Sequence, residues 1–293
     1  MNTPHLSRRD FSRSLLLAGT GLALPQLRAA HHKIPVPALG VQTDLANAAA
    51  VKAAGGSWIG LSVAGWLQPD GLESEFHARL EEAAASPLPI YACNSFIRRK
   101  DLKCNGPNAN HDEVMEYVKR AFSRAERAGV RFITFGSSGS RRLPEGYDYN
   151  HALDQFTTLL GRMGPAAADH GVTVQVEQLQ TREVNFINRI GEMEQVVRGA
   201  NHANIRGVAD FYHMVAEGDT ADDLAQAVDI VSHVEIAELE GRRVPGTGGQ
   251  DFRPYFKVLK ESGYSGRIGI EGKFKLEELA GGFSTIVNQW NTA

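Results

Sequence analysis

The amino-acid sequence predicts an α/β fold: a single (β/α)8 TIM barrel after an N-terminal signal peptide. Three observations carry that prediction. Short apolar or β-branched runs alternate with longer helical patterns eight times, the pattern of a parallel sheet with crossover helices. Removing the first 29 of 293 residues leaves 264, close to the ~250 typical of one eight-fold barrel. No Gly-x-Gly-x-x-Gly follows the first strand, so an open dinucleotide-binding sheet has no support.

In order, strands are expected at 38–42 (ALGVQ), 57–63 (SWIGLSV), 88–93 (LPIYAC), 131–136 (RFITFG), 172–177 (VTVQVE), 205–210 (IRGVAD), 232–237 (SHVEIA) and 267–271 (RIGIE). Helices are expected between them at 44–54, 73–85, 110–128, 150–169, 189–199, 219–230 and 251–262, with a last one at 275–290. Gly129 and Gly171, just before the fourth and fifth strands, supply the usual punctuation at helix C-termini. The expected organisation is residues 1–30 as signal peptide and 31–293 as one barrel domain.

Ser7-Arg8-Arg9-Asp10-Phe11 forms a twin-arginine pattern. The apolar stretch Leu15 to Leu24 and the small pair Ala29-Ala30 complete a secretory signal of the Tat type. The expected partner is therefore the Tat export machinery and the expected location the periplasm. Cleavage after Ala29 removes four Arg and one Asp from 31 basic and 34 acidic residues, leaving 27 and 33, a net charge of −6. That balance argues against nucleic acid as a partner, which calls for a basic excess. No apolar run reaches the roughly 18 residues that suggest a membrane span, so no stable membrane insertion of the mature chain is expected. Two cysteines cannot build a disulfide scaffold or a four-Cys zinc site. Export would allow a bridge between Cys93 and Cys104, but folding before export, and the place of Cys93 at a strand end, work against it.

The acidic residues carry the chemistry. Glu177, Asp210 and Glu271 end the fifth, sixth and eighth expected strands, and Glu235 lies near the end of the seventh. In a barrel those ends converge on the face where active sites are built. Four carboxylates at one mouth repel one another, and a divalent cation relieves the repulsion. Oxygen ligands favour Mn²⁺ or Mg²⁺, with Co²⁺ and Ca²⁺ as alternatives. Each acid could instead pair with a nearby Arg, Lys or amide.

These residues resemble motifs of the sugar phosphate isomerase/epimerase family, the xylose isomerase-like TIM barrels. Val176-Glu177 through Glu183 to Asn188 is similar to the family's fifth-strand motif, in which a metal-binding Glu is followed six residues later by a substrate-binding Glu. Asp210-Phe211-Tyr212-His213-Met214 resembles the sixth-strand Asp-x-x-His-Met, where the Asp binds metal and the His touches substrate oxygens. Arg242 to Gly246 resembles the Arg-rich loop after strand seven, and Gly263-Tyr264-Ser265-Gly266 with Ile270-Glu271 the terminal signature. The resemblance covers nearly all of the mature chain. It implies metal binding by Glu177, Asp210 and Glu271, catalysis by Glu177 and Glu271, and substrate contacts from Glu183, His213 and Arg242. Trp66 after strand two is expected either to stack on a sugar face or to pack a loop, and Asn94 after strand three to line the pocket. Arg141 and Arg142 either hold an anionic substrate or make ion pairs.

One position departs from the pattern. The family's seventh strand usually reads His-x-His, the second His being a ligand, whereas this chain reads His233-Val234-Glu235. Glu235 then ligates, or His233 stands in from deeper in the barrel, or the metal site is lost. With the site intact, a divalent metal on adjacent carbonyl and hydroxyl oxygens acidifies the neighbouring C–H, and two carboxylates remove and return a proton through an enediolate. The implied activity is isomerisation or epimerisation of a non-phosphorylated keto-sugar or sugar derivative, since sugar phosphates are cytoplasmic. The alternatives are a 3-keto-glycoside lyase on the same metal site and a metal-free, non-catalytic sugar-binding barrel. A nuclease of the same superfamily would need several strand-end His and a basic track. The oligomeric state, a homo-oligomer included, is left open.

Overall fold

The computed structural model describes residues 34–293. The twin-arginine segment and the cleavage site fall outside them. Eight parallel strands close into a barrel in sequence order: β1 (Ala38–Gln42), β2 (Trp58–Ser62), β3 (Ile90–Asn94), β4 (Phe132–Phe135), β5 (Thr173–Glu177), β6 (Ile205–Asp210), β7 (Val231–Ile236) and β8 (Arg267–Ile270). β1 pairs with both β2 and β8, so no edge remains.

Local chemistry starts and stops the crossover helices. Asn110 accepts the Asp112 and Glu113 N–H groups at the head of His111–Arg127. Asp148 does the same for Tyr149–Asp169 through the His151 N–H, and Thr220 with Asp223 forms a capping box before Ala221–Ala227. Gly129 and Gly171, with φ of 72° and 61°, end helices in the left-handed conformation. In His111–Arg127 the residues Val114, Val118, Ala121 and Ala125 fall on one face and are all buried against the barrel.

The floor of the barrel is aromatic. The Trp58 ring lies 5.4 Å from those of Tyr91 and His233, and the Arg267 guanidinium sits 3.5 Å over the Tyr91 ring. Gly40 on β1 and Gly269 on β8 make room for the Trp58 indole; a Cβ at Gly40 would overlap it. This plug closes the lower end, so the opposite, C-terminal end is where a site can form.

The differences from the expected elements cluster at that end. The expected helix 44–54 is a 3₁₀ turn (Leu45–Asn47) followed by a short α-helix (Ala48–Ala53). The second strand stops at Ser62, and Val63–Leu67 makes a π-type turn. Short helices at Ser138–Arg141 and Phe211–Glu217 follow β4 and β6 where no separate element was expected. Each is too short to show a periodicity. Among the described residues no helix is long and apolar enough to cross a membrane.

Candidate active site

Strand register brings the acids together. Asp210 and Glu235 are direct cross-strand partners on β6 and β7, and Glu177 on β5 pairs with Val208, two residues before Asp210. Glu235 faces Gly269 on β8, which has no side chain to obstruct it. Glu271 follows one residue after β8. One carboxylate oxygen from each of Glu177, Asp210, Glu235 and Glu271 lies within 4.8 Å of all the others.

Their remaining contacts are few and specific. Asp210 caps Phe211–Glu217: its Oδ1 accepts the Tyr212 N–H at 2.8 Å and the His213 N–H at 3.4 Å, leaving Oδ2 for the site. Asn94 donates to Glu271 Oε1 at 2.6 Å, and Arg242 pairs with its Oε2 at 2.6 Å. Arg242 also reaches Asp210 Oδ2 at 3.4 Å and Glu183 Oε1 at 3.8 Å, with its guanidinium over the Tyr212 ring. Gln42 at the end of β1 donates to Glu235 Oε1 at 3.2 Å, and Glu235 Oε2 is buried without a partner among the described residues.

Burial, reinforced by the neighbouring carboxylates, pushes Glu177 and Glu235 well above the usual carboxylate range. Burial also raises Asp210, although Arg242 and the two capping N–H groups oppose it. Against its own burial, Glu271, Asp210, Glu177 and Glu183 hold the Arg242 guanidinium above its ordinary value. An unpaired buried carboxylate oxygen amid like charges is costly, and all-oxygen ligation suits a hard divalent cation. The residues present therefore fit such an ion: Glu177, Asp210, Glu235 and Glu271 would hold it.

His213 is buried, and its Nδ1 accepts the Gln180 N–H at 3.1 Å, which puts the proton of the neutral ring on Nε2. Among the described residues Nε2 has no hydrogen-bond partner, and it lies 3.5 Å from Asp210 Oδ2 and 3.8 Å from Glu177 Oε1. Burial and the nearby Arg242 push this imidazole down to about 4, so it stays neutral at pH 7 as a free donor. His233 lies one layer below Glu235, its Nε2 3.7 Å from Glu235 Oε1, and burial takes it down to about 3.

The site opens into a cavity of about 390 Å³ lined by Asn94, Glu177, Glu183, His213, Arg242 and Glu271. Asp210 and Glu235 lie beneath it. Trp66 does not line this cavity; it walls a neighbouring one with Gln42 and Asn94. Arg141 and Arg142 are also absent from the lining. Arg141 is fully buried and donates to the Glu177 carbonyl at 3.0 Å, and Arg142 donates to the Glu183 carbonyl. Cys93 and Cys104 are buried free thiols.

Residues not singled out from the sequence complete the site. Gln42 ends a strand as the acids do, and the same rule would have found it. Arg98 and Lys100 line the cavity from the loop after β3. Gly136 lies against the Glu177 carboxylate, where any Cβ would overlap Oε2; only packing reveals that.

The 2-oxo-tetronate isomerase of Cupriavidus necator is 33% identical over 119 residues, 40% of this chain and 46% of that protein. The 3-dehydro-D-guloside 4-epimerase of Escherichia coli is 32% identical over 118 residues, 39% of this chain and 44% of that protein. The matched segment thus spans less than half the length of these curated relatives. Among solved structures, an L-ribulose 3-epimerase superposes with a TM-score of 0.74 at 18% identity, covering 88% of this chain and 95% of that one. It shares the fold. The profile of the Xylose isomerase-like TIM barrel family matches residues 48–282, and the chain belongs to that family.

Proposed function

We propose that the protein is a divalent-metal-dependent sugar isomerase or epimerase that moves a proton at the carbon beside a carbonyl. The observation that carries this reading is the four-carboxylate cluster, with ligand atoms within 4.8 Å of one another and Glu235 Oε2 left without a partner. When bound, a divalent cation would polarise the substrate carbonyl and favour loss of the neighbouring proton. Of the four clustered carboxylates, Glu177 and Glu271 also line the cavity, and they take the roles of base and acid. Asn94 and Arg242 fix one oxygen of Glu271 each. The free His213 Nε2–H donates to a substrate oxygen, and Glu183 with Arg242 holds a hydroxyl at the rim.

The relatives act on a tetronate and a guloside, which supports a carbonyl-bearing sugar derivative as substrate. The Arg8-Arg9 segment supports Tat export to the periplasm, and with it a non-phosphorylated substrate. Elimination from a keto-glycoside would use the same proton abstraction. The test is exchange of the substrate C–H for deuterium in D₂O by Mn²⁺-loaded protein, read by NMR with a panel of keto-sugars. Exchange that is lost with EDTA and in Glu177→Gln supports the reading. Folded, metal-loaded protein that exchanges none of them refutes it.

A further inference from the structure

Arg242 and a divalent cation would claim the same oxygen. The guanidinium Nη2 lies 2.6 Å from Glu271 Oε2 and 3.4 Å from Asp210 Oδ2. It thus ties the end of β6 to the residue after β8, with Glu235 on β7 between them. The second oxygen of each acid is already engaged. Asp210 Oδ1 accepts the Tyr212 and His213 N–H groups, and Glu271 Oε1 accepts from Asn94. An ion held by the cluster would therefore reach Asp210 through the oxygen that Arg242 holds. A guanidinium and a divalent cation on one carboxylate oxygen repel each other, and the partly buried setting screens them poorly.

The same side chain has a second set of partners. Its guanidinium carbon lies 4.7 Å from the centre of the Tyr212 ring, its Nη1 is 3.8 Å from Glu183 Oε1, and its Nε donates to the Glu271 carbonyl at 3.2 Å. Gln180 fixes that platform, since its Nε2 donates to Glu183 Oε1 and to the Tyr212 hydroxyl oxygen, both at 3.0 Å. The backbone of Arg242 is pinned. Its φ is 52°, a left-handed value that a residue with a Cβ adopts only under constraint. Its carbonyl accepts the Lys273 N–H at 2.7 Å and lies so close to Gly272 that a Cβ there would overlap it. The side chain is 23% exposed and borders the open cavity, so its torsions can change while the loop stays in place. One side chain with two sets of partners is a two-state element that a ligand can bias.

We propose that Arg242 and the ion exchange places. The guanidinium holds Asp210 and Glu271 until a divalent cation binds. Asp210 Oδ2 then passes to the cation, and the guanidinium settles on Tyr212 and Glu183, where it meets a substrate oxygen. The protein thus offers its substrate-binding arginine only when the ion that polarises the carbonyl is in place. This rests on the isomerase reading above and adds the regulation of that site.

The test is NMR of metal-stripped protein with isotope-labelled arginine, titrated with Mg²⁺. The Arg242 signal is the one missing from Arg242→Gln. Its Nη–H protons should exchange slowly with water while two carboxylates hold them, and about tenfold faster once Mg²⁺ is bound. In calorimetry Arg242→Gln should bind Mg²⁺ about tenfold more tightly than wild type, because the competitor is gone. Tyr212→Leu changes no charge and should bind Mg²⁺ about fivefold more weakly, because the displaced guanidinium loses its platform. Unchanged or slower Nη–H exchange in the Mg²⁺-bound protein overturns the proposal. So does wild-type affinity in either variant, or no binding of Mg²⁺ at all. Deuterium exchange on keto-sugars is read in parallel. Exchange by protein whose Arg242 stays on Asp210 leaves the isomerase reading standing and removes only the exchange of places. Release of Arg242 by Mg²⁺ without deuterium exchange on any keto-sugar does the reverse.

Discussion

Replacing Glu235 with Gln should stabilise the metal-free protein while weakening its hold on metal. Glu235 is fully buried, with Oε1 on the Gln42 amide at 3.2 Å and Oε2 facing no donor. Folding raises its carboxyl well above the ordinary 4.5, first through burial and then through Glu271, Glu177 and Asp210. The native state then binds its proton more tightly than the unfolded chain. The metal-free protein is therefore most stable below about pH 4.5 with respect to this group, and loses stability as pH rises toward the native value. Each pH unit inside that window costs about 1.4 kcal/mol. Gln does not titrate. Its carbonyl can still accept from Gln42, and its NH₂ faces carboxylate oxygens within 4.8 Å instead of adding a fourth charge. For a domain of this size 1.4 kcal/mol is about 3–6 °C in Tm, so the shift accumulates at about that rate per pH unit. The assay is thermal unfolding of metal-stripped wild type and Glu235→Gln from pH 5 to 7.5, repeated with Mn²⁺. The expected curves diverge with rising pH in the stripped proteins, the variant melting higher. With Mn²⁺ at 1,000 times its Kd the order reverses, because the ligand adds about 4.1 kcal/mol to the protein that still binds it. A stripped variant that melts below wild type throughout, or curves that run parallel in pH, would refute the account of a strained carboxylate cluster.

Other expectations follow from the same geometry. Gly136→Ala should leave the Tm within a few degrees but cut the rate of C–H exchange by about 10²-fold, because the added Cβ displaces the Glu177 carboxylate; unchanged exchange would show that Glu177 needs no such placement. Glu238 is buried and accepts the N–H groups of Gly246, Gly248, Gly249 and Gln250, closing the loop that carries Arg242. Glu238→Gln should therefore cost about 1–3 kcal/mol in denaturant unfolding, and a variant as stable as wild type would contradict that role. Burial pushes the Cys93 thiol up to about 12 and the Cys104 thiol up to about 11. Alkylation at pH 8 should be at least 100-fold slower in the native than in the unfolded protein. Mass spectrometry of unfolded, unreduced protein should then count two labels, and none would mean a bridge.

The barrel was legible in the sequence because its period is local. Runs such as Thr173–Glu177 and Ile205–Asp210 are bounded by turn residues and separated by helical patterns, so element type and order follow from neighbouring residues alone. The acids at those strand ends were legible for the same reason, since the fold places every strand end on one face. The short helices after β2, β4 and β6 were not, because each depends on a contact or cap rather than on a periodic face. Phe211–Glu217 begins where Asp210 turns its carboxylate back on the chain, and the turn Val63–Leu67 is held by Arg124 from nearly 60 residues away.

Sequence by itself thus determined the fold, the family and the identity of the four carboxylates. Tertiary structure decided what each does. It set Glu235 beside Asp210 by register, with His233 a layer below. It turned Arg141 into a buried support for Glu177, removed Trp66 from the cavity of the acids and placed it across the Asn94–Glu271 pair. These outcomes depend on which side chains share a wall of the closed barrel. That is fixed by stagger and packing between residues far apart in the chain, and no pattern of neighbouring residues encodes it.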